Sequence, residues 1–287
     1  MTGTPAGAGV IAARRPRAFS RLSVGAVAAA AMVGAVALPA SGHTPVPGPL
    51  ATSAVTDSGT AQQPVRSTAA GPVEDLFGSE IRKIPTTERV VALTFNAAWD
   101  GAGVDTVLSV LRERKVPATF FLTGKFADTH PEVARAMAAE HGIGNHSYNH
   151  PSFDDLTSQE AEDEVLRTDR AIRAATGAEP APFFRFPYGA TTPQGIAGVN
   201  ALGFADIEFT ADTNGYLGTA GGMTVQKVVT RAMDALTPGE IVQMHVGTPD
   251  GGGTVLDAEA LPEIIDAIHD RGYRIIDLRS LVDTETE

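Results

Sequence analysis

Two histidines, His146 and His150, stand in a polar segment that follows Gly144 and ends at Pro151. Positions i and i+4 are about 13 Å apart in an extended strand but only about 5–6 Å apart across a helical or tight turn. Pro151 disfavours the helical region at the residue before it, so we expect the pair to close a loop just before a break. Two converging neutral imidazoles supply half of a tetrahedral zinc site, and two surface histidines in a turn are the structural alternative.

The composition limits the chemistry that the chain can support. The chain has no cysteine, so thiolate metal sites and disulfides are excluded, and a further metal ligand must come from His, Asp or Glu. Its formal net charge is −12. This charge argues against nucleic acid as a partner, because phosphate binding needs clustered Lys and Arg, whereas a neutral glycan is compatible with it.

The elements that must position these residues begin at Glu88. From there, short β-branched runs alternate with amphipathic helical patterns, which predicts a mostly parallel sheet wrapped by helices. About seven strand-like runs give an expected fold class of α/β, a distorted (β/α) barrel. The predicted strands include 90–95, 118–123, 183–186, 205–210, 241–244 and 274–278. Pro131 is predicted to open a helix that Gly142 ends, and Thr157 to Glu160 match a capping box that opens a long helix ending at Gly177.

Polar side chains follow the ends of these predicted strands. Asn96 to Asp100 follow the first strand, His146 and His150 the third, Arg185 to Tyr188 the fourth and Asp212 the fifth, and His245 ends the sixth. The C-terminal ends of parallel strands in α/β folds meet at one mouth. We therefore expect these residues to face a single pocket.

The N-terminal part of the chain has a different composition. Residues 1–40 combine a basic stretch with a long uncharged apolar run and small residues near Ala40, which predicts a signal peptide or an N-terminal anchor. Residues 41–87, rich in Pro, Ala, Ser and Thr, are expected to form a disordered linker, and residues 88–287 the catalytic domain. We expect an exported protein, secreted or on the cell surface, that touches a membrane only through an uncleaved N-terminal segment.

Five short motifs occur in order along the folded region. They are TFNAAWD at 94–100, HSYNH at 146–150, RFPYG at 185–189, DTNGY at 212–216 and MHVG at 244–247. With the additional run PATFFLTG at 117–124, nearly all of the folded region resembles the polysaccharide deacetylase family, the NodB-type domain of carbohydrate esterase family 4.

The resemblance implies a metal-dependent hydrolase that removes N-acetyl groups from cell-wall or chitin-like polysaccharide. In the family, two histidines and a carboxylate hold zinc, which polarises the acetamide carbonyl and lowers the pKa of water. On this chain the histidines are His146 and His150. Asp100 lies in the first motif loop and is the candidate for the third ligand or for the base, but it cannot easily be both.

The resemblance also implies roles for residues from three other loops. His245 matches the general acid, Arg185 the partner of the catalytic carboxylate, and the backbone N–H of Tyr188 a donor to the oxyanion. The structural alternatives are a core histidine for His245 and a buried ion pair for Arg185. Asp212 either borders the substrate or caps a turn, and Trp99 either stacks on a sugar or packs half-buried.

The chain departs from the family pattern at two sites. The usual first motif is Thr-Phe-Asp-Asp-Gly, with one Asp as base and the next as zinc ligand, and here these positions are Asn96 and Ala97. Asparagine does not act as a base at neutral pH, and alanine cannot ligate. The Asp-Trp pair of the fourth motif is Gly215-Tyr216, so the carboxylate that orients the general acid is absent unless Asp212 supplies it.

Three functions are therefore weighed. The leading one is a monomeric deacetylase of N-acetylated polysaccharide, peptidoglycan or chitin oligomers, with zinc as the expected metal and Asn96 in the place of the base. A non-catalytic glycan-binding homologue that kept the cleft is the second. A deacylase of another amide or of an acetyl ester, which needs no tuned acid for an amine, is the third.

Overall fold

The computed structural model describes residues 73–248 and 253–282. These residues form a curled, parallel sheet with helices packed on its outer face, which confirms the predicted α/β class and distorted barrel. The predicted leader, 1–40, and the linker residues up to 72 lie outside the described residues.

Every strand pair of the described sheet is parallel, in the order β5-β4-β3-β2-β1-β7-β6, with β8 beside β1. The carboxyl ends of the strands therefore meet at one mouth. The strands are β1 (Val90–Ala97), β2 (Thr119–Leu122), β3 (Gly142–Asn145), β4 (Phe183–Phe184), β5 (Ala205–Asp206), β6 (Ala211–Asp212), β7 (Glu240–Val246) and β8 (Arg274–Ile276). The helices are α1 (Val104–Arg114), α2 (Gly124–Thr129), α3 (Pro131–Glu140), α4 (Ser158–Thr176), α5 (Pro193–Ala201), α6 (Val225–Asp234) and α7 (Leu256–Asp270).

β1 is the central strand, and all eight of its residues are buried. Its side chains alternate in direction, as in any strand. Val91, Leu93 and Phe95 pack into the apolar cluster shared with the helices, and each contributes about 1.5–3 kcal/mol by burial. Thr94 and Asn96 point to the inside of the barrel, where both accept hydrogen bonds from Arg185. Burial on both faces explains the nearly continuous apolar run in the sequence.

The prediction of one strand over 205–210 is wrong, because only Ala205–Asp206 form a strand in this range and a separate strand follows at Ala211–Asp212. β5 pairs with β4 at one edge of the sheet, whereas β6 pairs with β7 at the other edge. Residues 207–210 cross the gap between these edges and curl the sheet. Seven of the described strands follow one another across the sheet, as expected, and β8 pairs with β1 beside this path.

Residues 73–87, expected to belong to the disordered linker, are an ordered part of the domain. Ile81 forms a parallel bridge to Ile207, and the Ile84 N–H donates to the Gly239 carbonyl at 2.8 Å. Val73 and Ile84 are buried in a second apolar cluster, which lies against the inner face of the sheet. The segment fills the gap between the two edges of the sheet, a contact that no local periodicity reveals.

The helix ends follow their sequence signals with one exception. Thr157 and Glu160 form the predicted capping box of α4, and Gly177 ends that helix at a φ of 70°. The helix predicted to run to Gly142 ends at Glu140, because Gly142 begins β3, where a Cβ would lie 2.6 Å from the Asp277 carboxylate. Among the helices that the structure describes, none has the length and apolar character to cross a bilayer.

Candidate active site

His146 and His150 come together at the carboxyl end of β3. Their ring centroids are 4.8 Å apart and their planes are nearly perpendicular. The turn is made by left-handed backbone at Ser147 (φ 63°) and His150 (φ 61°), and the His150 N–H donates to Ser147 Oγ at 3.1 Å. As expected, Pro151 keeps His150 out of the right-handed helical region.

The His146 ring is held with one nitrogen free. Its Nδ1 lies 2.8 Å from the Arg185 carbonyl, which accepts only, so the proton is assigned to Nδ1. Its Nε2 is buried and has no partner in the described residues. Burial, with the neighbouring His150, lowers the pKa of His146 well below its usual value, and burial also lowers the pKa of His150. Neutral imidazoles with free lone pairs are metal-ligand nitrogens, and a carbonyl behind the other nitrogen is the usual second partner.

The structure does not bring Asp100 to this pair. Asp100 Oδ1 accepts from the Ala102 N–H at 2.9 Å and from the Thr248 N–H at 3.2 Å, and Oδ2 accepts from the Thr248 hydroxyl at 3.2 Å. The carboxylate therefore ties the loop after β1 to the loop after β7. In the described part of the chain, no three His, Asp or Glu side chains are arranged to hold a metal ion. Two imidazoles fit a divalent cation, and the described residues supply no third ligand.

Arg185 is fully buried inside the barrel, where it meets an amide rather than a carboxylate. Its Nη1 donates to Asn96 Oδ1 at 3.0 Å and to Thr94 Oγ1 at 2.9 Å, and its guanidinium lies over the Phe121 ring. Asn96 Nδ2 donates to Gln243 Oε1 at 3.1 Å. Both ends of the Asn96 amide are thus occupied. Burial lowers the pKa of Arg185 to about 10, so the guanidinium stays charged at neutral pH.

Two buried acids behind Arg185 were missed by the sequence analysis. Asp206 and Glu208 lie near Arg185, and Glu208 accepts from the Phe186 N–H at 2.9 Å. Burial and the neighbouring Glu208 raise the pKa of Asp206 to about 9, and burial raises the pKa of Glu208 to about 7. The alternation of acids in 205–209 was the available signal, since residues two apart on a strand share a face.

His245, near the end of β7, borders a cavity of about 460 Å³. Its ring centroid lies 4.6 Å from Tyr216 and 6.2 Å from Trp99. Its Nδ1 is buried and has no hydrogen-bond partner among the residues that the structure describes, and burial lowers the pKa of His245 to about 4. The nearest carboxylate is that of Asp257 on α7, with Oδ2 3.9 Å from Nδ1, a residue that the sequence analysis did not single out.

Aromatic side chains rim the mouth beside these groups. Trp99 is 36% exposed and Tyr188 is 73% exposed, and both leave an open ring face or edge for a ligand. The Tyr188 hydroxyl donates to the His150 carbonyl at 3.3 Å, and Tyr188 has a φ of 62°. Asp212 caps its turn, since its Oδ1 accepts from the Asn214 N–H at 2.9 Å and its Oδ2 accepts from Gln243 Nε2 at 3.1 Å.

Known proteins share this architecture and sequence pattern. The family model for polysaccharide deacetylases matches residues 83–207. A chitooligosaccharide deacetylase from Bradyrhizobium sp. (strain ANU 289) is 34% identical over 202 residues, which are 67% of this chain and 90% of that protein. A peptidoglycan-N-acetylglucosamine deacetylase from Bacillus cereus is 29% identical over 71% of this chain and 72% of that protein.

Solved structures add a second kind of relative. A pseudoenzyme of the CE4 family from Bacillus anthracis superimposes with a TM-score of 0.65 at 29% identity, over 73% of this chain and 71% of that chain. A mutant of this pseudoenzyme, described as having restored enzymatic activity, gives the same TM-score over 73% of each chain.

These relatives bear on two predictions. The resemblance found in the motifs is confirmed, as is the enzyme class, because deacetylases of N-acetylated sugars are hydrolases of amide bonds. The Bradyrhizobium relative is 34% identical and is covered over 90% of its length, which shows the family of this chain. The chain belongs to the polysaccharide deacetylase family.

Proposed function

We propose that this chain removes N-acetyl groups from cell-wall or chitin-like polysaccharide with the help of a divalent metal, most simply zinc, on His146 and His150. The observation that carries the proposal is the His146 ring, whose Nδ1–H is fixed by the Arg185 carbonyl while its buried Nε2 has no partner among the described residues. A buried polar atom left without a partner costs about 1–3 kcal/mol. A metal ion bound to this nitrogen would give it a partner and remove that cost.

Zinc bound to these imidazoles would polarise the acetamide carbonyl and lower the pKa of water, making a hydroxide available near neutral pH. Two of the protein's own residues contribute directly to the reaction. His245 donates a proton to the nitrogen of the leaving amine, which is a poor leaving group without it. The backbone N–H of Tyr188 donates to the oxygen that becomes negative during the attack.

A carbohydrate suits the surface around these groups. Trp99 and Tyr188 present exposed aromatic surface at the mouth, and such rings stack well on the apolar faces of sugars. The net charge of −12 favours a neutral N-acetylated glycan over a polyanion. The named relatives act on chitooligosaccharides and on peptidoglycan N-acetylglucosamine, and we propose the same substrate class for this chain.

Acetate release from N-acetylglucosamine oligomers and from peptidoglycan tests the proposal. We expect release with zinc present, and its loss with a chelator and in His146→Ala. His269→Ala, which removes an exposed histidine of α7, is the matched control and keeps full activity. Zinc titration by calorimetry should show binding in the wild type and in the control but not in His146→Ala. No acetate from either substrate at any zinc concentration would contradict the proposal.

A non-catalytic glycan-binding role is the second candidate, and a specific observation favours it. The family's base and third ligand positions hold Asn96 and Ala97, and the Ala97 methyl belongs to the apolar cluster. The fold of a CE4 pseudoenzyme is among those most like this one. This candidate predicts that N-acetylglucosamine oligomers bind equally well with a chelator and to His146→Ala, with no acetate formed.

We also propose that the protein is exported through residues 1–40. The supporting feature is the basic and then apolar composition of this segment, which lies outside the described residues. N-terminal sequencing of the protein from the culture medium and from the membrane fraction separates cleavage near Ala40 from an uncleaved anchor.

A further inference from the structure

The space next to Gly215 is filled by a carboxylate from another element. A Cβ placed on Gly215 would lie 2.5 Å from Asp257 Oδ1 and even closer to the rest of that carboxyl group. Gly215 is not among the glycines with positive φ, so its backbone does not need glycine. The Asp257 carboxyl group leaves no room for a side chain at position 215.

Asp257 is fully buried and enters the site from the first turn of α7. Its Oδ1 accepts from the Thr213 hydroxyl at 2.6 Å, and its Oδ2 accepts from the backbone N–H of His245 at 3.0 Å. Burial raises the pKa of this carboxyl to about 7, so it is ionised in mildly alkaline solution. These bonds orient a carboxylate against the strand that carries His245.

The His245 ring has one nitrogen that needs such a group. Nδ1 is buried without a hydrogen bond in the described residues, and Asp257 Oδ2 is the carboxylate oxygen 3.9 Å from it. This separation exceeds a hydrogen bond by about 1 Å, and catalytic hydrogen bonds commonly tighten when substrate binds. Asp212, Arg185 and His150 are the other charged or titratable groups that act on the ring.

We propose that Asp257 is the positioning residue for His245, and that it performs from α7 the role that a carboxylate at position 215 performs in the family pattern. It accepts the Nδ1–H of the ring, which leaves Nε2 free to take up the proton that the attacking water releases and to pass it to the leaving amine nitrogen. The ring ends as it began, neutral with its proton on Nδ1, and Asp257 remains a carboxylate. As a description of catalysis, the inference rests on the proposed function.

Asp212 is the competing carboxylate, but its oxygens are already used. One accepts from the Asn214 N–H and the other from Gln243 Nε2. It raises the pKa of His245 through its charge. A purely structural role for Asp257, tying α7 to β7, is the other alternative, and the experiment must exclude it.

Relocating the carboxylate separates these roles. The variants are Asp257→Ala, Gly215→Asp combined with Asp257→Ala, and Gly215→Ala combined with Asp257→Ala. The second returns a carboxylate to the same space from the other side, and the third refills the space without charge. Asp257→Asn is the conservative variant if Asp257→Ala does not fold. Asp266→Asn, at an exposed position of the same helix, is the control.

The main readout is the protonation of the His245 ring nitrogens by ¹⁵N NMR at about pH 8, assigned with His245→Gln. We expect the wild type to favour the Nδ1–H tautomer by about tenfold or more. This preference is lost in Asp257→Ala, returns in Gly215→Asp/Asp257→Ala and stays lost in Gly215→Ala/Asp257→Ala. In parallel, kcat for acetate release falls about 100-fold or more and recovers with the same pattern, with little change in KM.

Two results would overturn the assignment: a tautomer preference that Asp257→Ala leaves unchanged, or one that the uncharged Gly215→Ala/Asp257→Ala restores as well as the charged variant. The NMR result does not depend on turnover. If the wild type releases no acetate but the ring responds as expected, the proposed function fails and the positioning role of Asp257 stands.

Discussion

Asn96 and Arg185 meet inside the barrel through a hydrogen bond of 3.0 Å, in the place where the family pattern has a carboxylate and a guanidinium. The amide accepts from Arg185 and donates to Gln243, so it keeps the hydrogen-bond geometry of the site. It cannot take up a proton. Among the nearby acids, Glu208 interacts most strongly with the charge of Arg185. At the level of single residues, Asn96 keeps the hydrogen bond to Arg185 but offers no basic group.

Asn96→Asp should increase deacetylation. The new carboxylate is nearly isosteric with the amide, lies within reach of Arg185 and can accept a proton from water. A general base contributes about 10²–10⁴-fold, and we expect an increase in kcat for acetate release at the lower end of this range. Asn96→Ala removes the amide without adding a base and should show no increase. Equal rates in both variants would mean that position 96 is not where the base acts.

Arg185→Met should destabilise the fold strongly. The variant removes the bonds from the guanidinium to Thr94, to Asn96 and to two backbone carbonyls. Each buried acceptor left without its donor costs about 1–3 kcal/mol, so the total loss in the free energy of unfolding should be at least about 3 kcal/mol.

Urea denaturation measures this loss. Arg114→Met breaks an exposed pair with Asp266 and should cost no more than about 1 kcal/mol. A similar small loss for both variants would contradict the structural role assigned to Arg185.

Which residues meet at the site followed from the sequence, but their exact partners did not. His146, His150, Arg185 and His245 all lie at or near strand ends, and parallel strands bring such ends together whatever the loops do. The position of Asp257 depends on how α7 docks against β7, which no local pattern specifies. The path of a loop decides where its side chains point, and the sequence does not reveal that path. For this reason Asp100 was wrongly expected beside the histidines and Asp257 was missed.

At the level of elements, α2 and the histidine loop are fitted tightly to each other. The Gly124 N–H donates to the Ser147 carbonyl at 3.0 Å, and a Cβ at Gly124 would lie 2.9 Å from Tyr148 Cε2. The Tyr148 ring cannot easily move, since its hydroxyl donates to Asp128 and the Arg167 guanidinium covers its face at 3.5 Å. The start of a short helix thus holds the turn between the two histidines in place.

Gly124→Ala should therefore weaken both the fold and the metal site. The added methyl group overpacks the contact with Tyr148, at a cost of about 1–3 kcal/mol in the free energy of unfolding, and displaces the turn that aligns His146 with His150. Zinc affinity should fall with it.

Gly198→Ala is the matched change in α5, where a Cβ meets open space. Removing glycine from a helix interior should raise stability by up to about 1 kcal/mol and leave zinc affinity unchanged. Urea denaturation and calorimetric zinc titration measure both effects. Equal stability changes in the two variants would refute the close fit at Gly124.

Elements were predicted well where the pattern is local and poorly where the partner is distant. The capping box of α4 and the central strand β1 involve neighbouring residues and are confirmed. The end of β5 at Asp206 and the start of β6 at Ala211 are set by edges of the sheet that the rest of the chain creates. The ordered segment 73–87 is likewise fixed by the gap that those edges leave.

Across the whole molecule, the groups whose pKa values are shifted most are buried acids and buried histidines. The two kinds of group have opposite effects on the free energy of unfolding as the pH changes. Burial raises the pKa of Glu240 to about 7 and that of Asp206, beside Glu208, to about 9. Burial lowers the pKa of His146 and His245. The acids favour folding at low pH. The histidines favour folding above about pH 6.5, where the unfolded chain no longer binds their protons.

The free energy of unfolding should decrease as the pH rises from about 7.5 to 9. In this window the histidines are neutral in both the folded and the unfolded chain, so they contribute no slope. Asp206 still holds its proton in the folded protein but has lost it in the unfolded chain, where its pKa is about 3.9. An acid whose pKa is higher in the folded protein stabilises the fold fully at pH values below its pKa in the unfolded chain. This contribution is lost as the pH rises through its pKa in the folded protein. One such group gives a loss of about 1 kcal/mol per pH unit.

Urea denaturation at several pH values measures the slope. Asp206→Asn, which cannot ionise, should flatten the slope. The control variant Asp234→Asn on α6 should leave the slope unchanged. A slope unchanged in Asp206→Asn would mean that another group holds the proton.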